Sequence, residues 1–425
     1  MTTNSLFHTI LHWSTKNYPL VAALNSCDYK DTFTKTHYDF LIAVGKEPLP
    51  LKNTFHSLKN YCANHQTWLF GYLGYDLKNE LEKLTSSNFD GLHWENIQFF
   101  VPEFVFSAQN GDVQILNHKG NCHTESDSIK KQFVEFTNST VNSESKIMIN
   151  SRVSKSEYID KVNQIKQHIQ RGDVYELNYC QEFYAENTRI NPLEIYKKLI
   201  DISPTPFSAF YRSNNHYLLC ASPERFLKKE GKKLLSQPIK GTIKRGATPE
   251  EDLHFKEMLK NSEKEQSENV MVVDMVRNDL SKTAAKKSVK VEELFGIYPF
   301  NQVFQMISTV SSELHENYDG IDAIAAAFPM ASMTGTPKVK ALELIEQFEK
   351  TKRGLYSGAV GYFTPQGDFD FNVVIRSIQY HAEKKYLSYM VGSAITINSN
   401  AEHEYEECLL KAEAIVNVLT SNKLN

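Results

Sequence analysis

The sequence predicts an α+β protein built on antiparallel sheets. Strand-like runs follow one another with no helix between them, at Phe207–Arg212 and Tyr217–Ala221 and again at Leu355–Phe363, Phe369–Tyr380 and Tyr386–Ile397. A regular βαβ wind does not do this. Helical periodicity occupies separate stretches, at Ser156–Arg171, Glu250–Val276, Ile321–Phe328, Pro337–Lys350 and Glu402–Leu419. With 425 residues, 41% of them hydrophobic, the chain can bury a large core to hold such layers together.

Taken in order, the N-terminal MTTNSLFHTILHW has neither a basic lead nor a small-residue cleavage pattern, so a secretory signal is not expected and the cytoplasm is. Trp68–Tyr75 and Ile97–Phe106 are aromatic-rich and strand-like, which makes the N-terminal third largely β with sparse helices. Phe136–Ser145 (FTNSTVNSES) is polar and poor in core residues and marks the main boundary, between an accessory region, 1–145, and a second region, 146–425. The second region opens with the alternating segment Lys146–Val153. Its first helix buries Tyr158, Val162, Ile165 and Ile169, starts at a capping box from Ser154 to Glu157 and stops at Gly172-Asp173.

Composition excludes several classes. Lys+Arg 47 against Asp+Glu 51 gives a net charge of −4, without the basic excess that phosphate-backbone binding needs, so nucleic acid is not an expected partner. The longest weakly polar run, Ala323–Met333, is broken by Pro329 and is far short of the roughly 20 apolar residues of a membrane helix. Six scattered cysteines form no CxxC pair and read as reduced thiols, and the 14 histidines show no HExxH. No Walker A, strand-linked GxGxxG or GxSxG sequence is present. Chemistry must come from carboxylates, lysines and arginines.

Five places could supply it. Glu404, Glu407 and Lys411 share one edge of the last helix, either as a seam for a hard cation and an anionic ligand or as a solvated face with an i,i+4 pair. Glu268, Asp274, Arg277 and Asp279 stand in or beside an apolar helix, where charges need partners. Asp274 and Arg277 can bridge each other at i,i+3, which leaves Glu268 as the candidate ligand. Ser332–Lys338, containing Thr334 and Gly335, leads into a helix with Pro337 at its start, either an anion-binding turn with Lys338 adding charge or an ordinary helix start. Arg376 closes the run DFNVVIR, suited to a bidentate grip on a carboxylate or to pairing with a nearby Asp. Lys240, between Pro238 and Gly241, reads as a lysine in a tight turn. Desolvation there would lower its pKa and make it nucleophilic, whereas an exposed lysine would be inert.

Together the strings SPERF (Ser222–Phe226), PIKGT (Pro238–Thr242), ENVMVVDMVRNDL (Glu268–Leu280), TGTPK (Thr334–Lys338), SGAVGYF (Ser357–Phe363), DFNVVIR (Asp370–Arg376) and EYEECLLKA (Glu404–Ala412) resemble the chorismate-utilising enzymes in order and rough spacing. The resemblance is strong over Ser151 to Leu419, the catalytic region, and weaker before it, chiefly through LFGYLGYD at Leu69–Asp76. It implies two large, mostly antiparallel sheets packed together with flanking helices. It also implies Mg²⁺ held by Glu268 and Glu407 with Glu404 in support, substrate carboxylates met by Arg376 and Lys411, and substrate binding at Thr334, Gly335 and Gly392, the last in a loop whose backbone N–H groups would face the substrate carboxylate. Lys240 and Asn269 are similar to the branch of the family that aminates chorismate at C4. Anthranilate-forming members usually show alanine and histidine there, and isochorismate- and salicylate-forming members usually place a lysine where this chain has Glu176. On that resemblance Lys240 would attack C2, Glu224 would protonate the departing C4 hydroxyl, and ammonia would give 4-amino-4-deoxychorismate on the way to p-aminobenzoate and folate. No glutaminase module is recognisable, so ammonia is expected from a separate glutamine amidotransferase subunit in a heterodimer. The alternatives are an anthranilate-forming enzyme and a non-catalytic subunit that docks an amidotransferase or binds a metabolite. Two departures from the family stand out: Gly392-Ser393-Ala394 in place of three glycines, and Glu176 in place of the usual Gln.

Overall fold

The computed structural model describes residues 3–29, 38–52, 54–124, 127–129, 132 and 147–420; the expected boundary at Phe136–Ser145 lies outside the described residues. Among them, two antiparallel sheets of eleven and nine strands carry the fold. In the larger sheet Glu176–Ala185, Tyr386–Ile395, Ser377–His381, His216–Ser222, Phe207–Ser213, Leu20–Asn25 and Phe40–Gly45 lie side by side. In the smaller, Ile239–Lys244, Val303–Glu313, Lys233–Gln237, Arg225–Glu230, Phe369–Val373, Ala359–Phe363 and Leu69–Leu73 do so. Both sheets therefore mix strands from before and after residue 145.

The sheets face each other over an interior that includes Leu20, Leu41, Phe70, Tyr72, Tyr211 and Val360. Tyr72 and Tyr211 meet edge to face across it with ring centroids 5.3 Å apart. Helices cover the outer faces: Tyr158, Val162, Cys408, Ala412 and Ile415 pack on the larger sheet, and Val272, Val273, Val276, Ile321 and Ile324 on the smaller. Strands such as Phe40–Gly45 and Leu69–Leu73 are buried at every position. They are covered on both sides, so they read as apolar runs and not as alternating ones.

Local chemistry accounts for the differences from the sequence expectations. The stretch Glu250–Val276 is two helices, Pro249–Lys260 and Glu263–Ser281, because Ser262 caps the second by accepting a hydrogen bond from the Glu265 backbone N–H. Phe369–Tyr380 is also two elements: Phe369–Val373 belongs to the smaller sheet and Ser377–His381 to the larger. The chain crosses between them with Arg376 at φ +51°, a conformation L-residues seldom adopt. Lys155–Arg171 begins at Ser154, whose side chain accepts from the Glu157 N–H, and ends at Gly172 with φ +85°. The capping box is only half formed, since the Glu157 carboxylate pairs with Lys350 at 2.6 Å.

One buried ion pair fixes the segments beneath the site. Arg353 donates to Glu349 (2.9 and 2.7 Å), to the Met333 carbonyl (2.7 Å) and to the Asn178 carbonyl (2.9 Å), while Glu349 also accepts from the Cys180 N–H at 2.9 Å. The two side chains are 1% and 3% exposed. Glu349→Gln would leave Arg353 charged and buried without its counter-ion, so urea unfolding should report a loss of about 3–5 kcal/mol; a loss below 1 kcal/mol would contradict that role.

Candidate active site

Lys240 sits where the strand Ile239–Lys244 slips register against Val303–Glu313, between the pairs Ile239↔Ile307 and Thr242↔Gln305. The expected tight turn is thus a β-bulge, with Gly241 at φ +95°, and bulges commonly re-aim a side chain. The backbone is held in place: Asn269 donates to the Lys240 carbonyl at 3.4 Å and itself accepts from the Ser308 hydroxyl at 2.6 Å. The lysine reaches across to the larger sheet, with Nζ 2.6 Å from Glu176 Oε1.

Three more elements converge there. The helix Glu263–Ser281 brings Lys264, Glu265 and Glu268, the last 9% exposed. The helix Ala401–Thr420 brings Glu404, 4% exposed, and Glu407 with Lys411, paired at 2.6 Å. Glu224, 4% exposed, precedes the strand Arg225–Glu230. Lys411 Nζ also donates to the Gly392 carbonyl at 3.1 Å, and Arg376 donates to the Lys411 carbonyl at 3.0 Å. Gly392 is needed because a Cβ there would lie 2.4 Å from Cys180 Sγ.

Charge in this group is unevenly balanced. Burial pushes the Glu224 carboxyl up to about 7, although Lys240 opposes it. Burial also pushes Glu268 up to about 7, against Lys240 and with the help of Glu176 and Glu265. Glu407 stays below the usual carboxylate range because Lys411, Lys264 and Lys240 outweigh its burial. Burial lowers the Arg376 guanidinium, and among the described residues it has no carboxylate within ion-pair distance, only the field of Glu407. The sequence alternative of an Asp partner for Arg376 is not realised.

Other expectations are corrected. The pKa of Lys240 is not lowered: burial acts in that direction, but Glu176, Glu268 and Glu407 outweigh it and the ammonium is held above its ordinary range. Asp274 and Arg277 are not buried; they form the i,i+3 bridge at 2.7 Å with side chains 60% and 52% exposed. Lys338 does not offer its charge to a ligand, since it donates to Asp279 at 2.5 Å and to the Pro329 carbonyl at 3.0 Å. The Thr334 hydroxyl donates to Met330 and Ala331 carbonyls (3.2 Å each), and Gly335 pairs with Leu177 beside Glu176. Ser393 does not crowd the site: its hydroxyl lies 3.1 Å from Tyr158 on the helix-covered face, opposite to Gly392. Lys264 and Glu265 were missed, although their spacing of four and three residues before Glu268 puts them on its face of the helix.

Among the described residues no three His, Cys, Asp or Glu side chains converge to hold a metal ion, so Glu268, Glu404 and Glu407 do not form a closed cage. A hard cation that takes one or two carboxylates and completes its shell with water and substrate oxygens still fits. The donor set admits it: Glu268 feels the like charges of Glu176 and Glu265, and a cation would add to the opposing pull of Lys240 and Lys264.

This sandwich, with its acidic and basic side chains gathered between two sheets and two helices, defines a class. The chain belongs to the chorismate binding enzyme family, whose model matches residues 24–417. It is 31% identical to aminodeoxychorismate synthase component 1 of Bacillus subtilis over 402 residues, covering 91% of this chain and 85% of that one. It is 40% identical over 269 residues to the chloroplastic aminodeoxychorismate synthase of Arabidopsis thaliana, covering 63% of this chain and spanning only 29% of that protein. The fold matches the crystal structure of anthranilate synthase component I from Streptococcus pneumoniae with a TM-score of 0.73 at 24% identity, over 84% of this chain and 81% of that one. No helix among the described residues is long and apolar enough to cross a membrane.

Proposed function

We propose that this protein aminates chorismate at C4 to give 4-amino-4-deoxychorismate, the precursor of p-aminobenzoate and hence of folate, using ammonia supplied by a separate glutamine amidotransferase subunit. The supporting observation is that Lys240 acts electrostatically on two carboxyls, Glu224 and Glu268, that burial brings to about 7. The names of the relatives in B. subtilis and A. thaliana agree with it.

Each residue has a role in this reading. Arg376, a half-buried cation with no carboxylate within ion-pair distance among the described residues, and Lys411 receive substrate carboxylate oxygens. Gly392, Thr334 and Gly335 form the wall against which the ring lies, their own groups being held by the fold. Glu268 and Glu407, with Glu404 in support, would hold Mg²⁺, which when bound would supply positive charge to orient and polarise the ring carboxylate. Lys240 forms a bond from Nζ to C2 as the C4 hydroxyl departs with a proton from Glu224. Ammonia then adds at C4 and the lysine leaves.

Lys240 favours this reading over anthranilate formation. Incubation with chorismate, Mg²⁺ and ammonium should yield the C4 amine and no anthranilate fluorescence; a fluorescent product formed by the protein alone would overturn the reading.

The two carboxyls near 7 also set a pH dependence. Glu224 works as an acid while protonated, so kcat/KM should fall as pH rises above about 7. Glu268 binds metal as the anion, so kcat/KM should also fall as pH drops below about 7. In Glu224→Gln the alkaline limb should vanish and the rate should drop by roughly 10²-fold or more; an unchanged alkaline limb would remove Glu224 from the acid's role.

A further inference from the structure

The shortest contact Lys240 makes is with a residue that no part of the amination reading uses. Glu176 starts the strand Glu176–Ala185 of the larger sheet and faces the bulge of the smaller one, with Oε1 2.6 Å from Lys240 Nζ and the two side chains 5% and 10% exposed. Its backbone cannot drift. Thr336 pairs with it, Tyr175 and Asn178 donate to the Thr336 and Thr334 carbonyls at 2.7 Å each, and a Cβ at Gly335 would come within 2.2 Å of its carbonyl oxygen. Among the described residues no other carboxylate lies within 4.0 Å of that ammonium.

We infer that Glu176 is a catalytic residue, the base that takes a proton from Lys240 and so frees the amine that attacks the ring. The inference rests on the amination reading. An ammonium has no lone pair, and Glu176, Glu268 from one helix and Glu407 from the other keep Lys240 charged against its burial, while Glu224 and Glu265 also stand in its field. The proton must leave inside the site. When substrate covers the pair and removes water, two facing charges cost more than a neutral amine beside a carboxylic acid, and the proton crosses the 2.6 Å contact. A glutamine at 176 could accept the hydrogen bond but not the proton.

The protons balance. Lys240 gives one to Glu176, and the neutral amine bonds to C2 while the C4 oxygen leaves as water with the proton of Glu224. Ammonia bonds to C4, the electron pair of the C2–N bond returns to Lys240, the C4 ammonium returns a proton to Glu224, and Glu176 reprotonates the lysine.

The test compares wild type, Glu176→Gln, Glu176→Asp and Lys240→Ala with chorismate, Mg²⁺ and a fixed concentration of free ammonia from pH 6 to 10. In Glu176→Gln, kcat at pH 7 should fall roughly 10²-fold with KM for chorismate within about threefold of wild type. The deficit should shrink as pH rises and solvent takes over the deprotonation, and Glu176→Asp should restore part of the rate. Wild-type kinetics in Glu176→Gln, or a deficit constant with pH, would overturn this role while an inactive Lys240→Ala leaves the amination reading intact. Absence of any aminated product from wild type would overturn both.

Discussion

Lys240→Ala should abolish amination, lowering turnover by roughly 10³-fold or more, because the proposed mechanism assigns the bond to C2 to this side chain alone. The lysine is positioned by features the substitution leaves in place: the register shift between Ile239 and Thr242, Gly241 at φ +95° and the Asn269 contact to its carbonyl. The variant should therefore fold, bind chorismate with similar affinity and keep its melting behaviour, which separates lost chemistry from lost structure. Near-normal product formation by Lys240→Ala, measured by chromatography of the C4 amine, would remove the lysine from the mechanism. Removing the charge also takes from Glu268 the cation that opposes its burial, so its carboxyl should titrate higher in the variant.

Glu268→Gln should have the next largest effect. It keeps the size of a side chain that is 9% exposed and removes the charge that would hold the cation. Turnover should fall roughly 100-fold or more, and the Mg²⁺ concentration needed for half-activation should rise by a comparable factor. Stability should not fall, since burial already pushes this carboxyl up to about 7 and its nearest cation, Lys264, is 3.9 Å away. Isothermal titration of the protein with Mg²⁺ and chorismate checks the point, and unchanged metal activation in the variant would contradict the role given to Glu268.

Much of this arrangement was legible in the sequence, for physical reasons. Consecutive strand-like runs announced antiparallel sheets, and the periodicity of Lys155–Arg171 and Ala401–Thr420 announced the helices that cover one of them. Where the chain passes between sheets, the pattern failed: Phe369–Tyr380 reads as one strand because apolar and polar residues alternate in both halves, and the positive φ of Arg376 marks the crossing. The site residues were found as types at suggestive spacings, but their electrostatics were not. A lysine next to a glycine suggested a lowered pKa, and three-dimensional neighbours from Glu176, Glu268 and Glu407 reversed the sign. The charges of Asp274 and Arg277 belonged to an exposed bridge, and that of Lys338 to a buried one with Asp279. Such partners lie as far as 59 to 64 residues away in sequence, as for Lys338 with Asp279 and Lys240 with Glu176, beyond the reach of helical or strand periodicity.

The central claim is that Lys240 bonds covalently to the substrate ring. Its most direct test is intact-mass and peptide analysis of the protein after incubation with chorismate and Mg²⁺ without any ammonia source. The account predicts an added mass equal to chorismate less one water, located on Lys240 and lost when ammonium is supplied. An unmodified protein that nevertheless converts chorismate to the C4 amine once ammonium is added, or an adduct on a different residue, would contradict it.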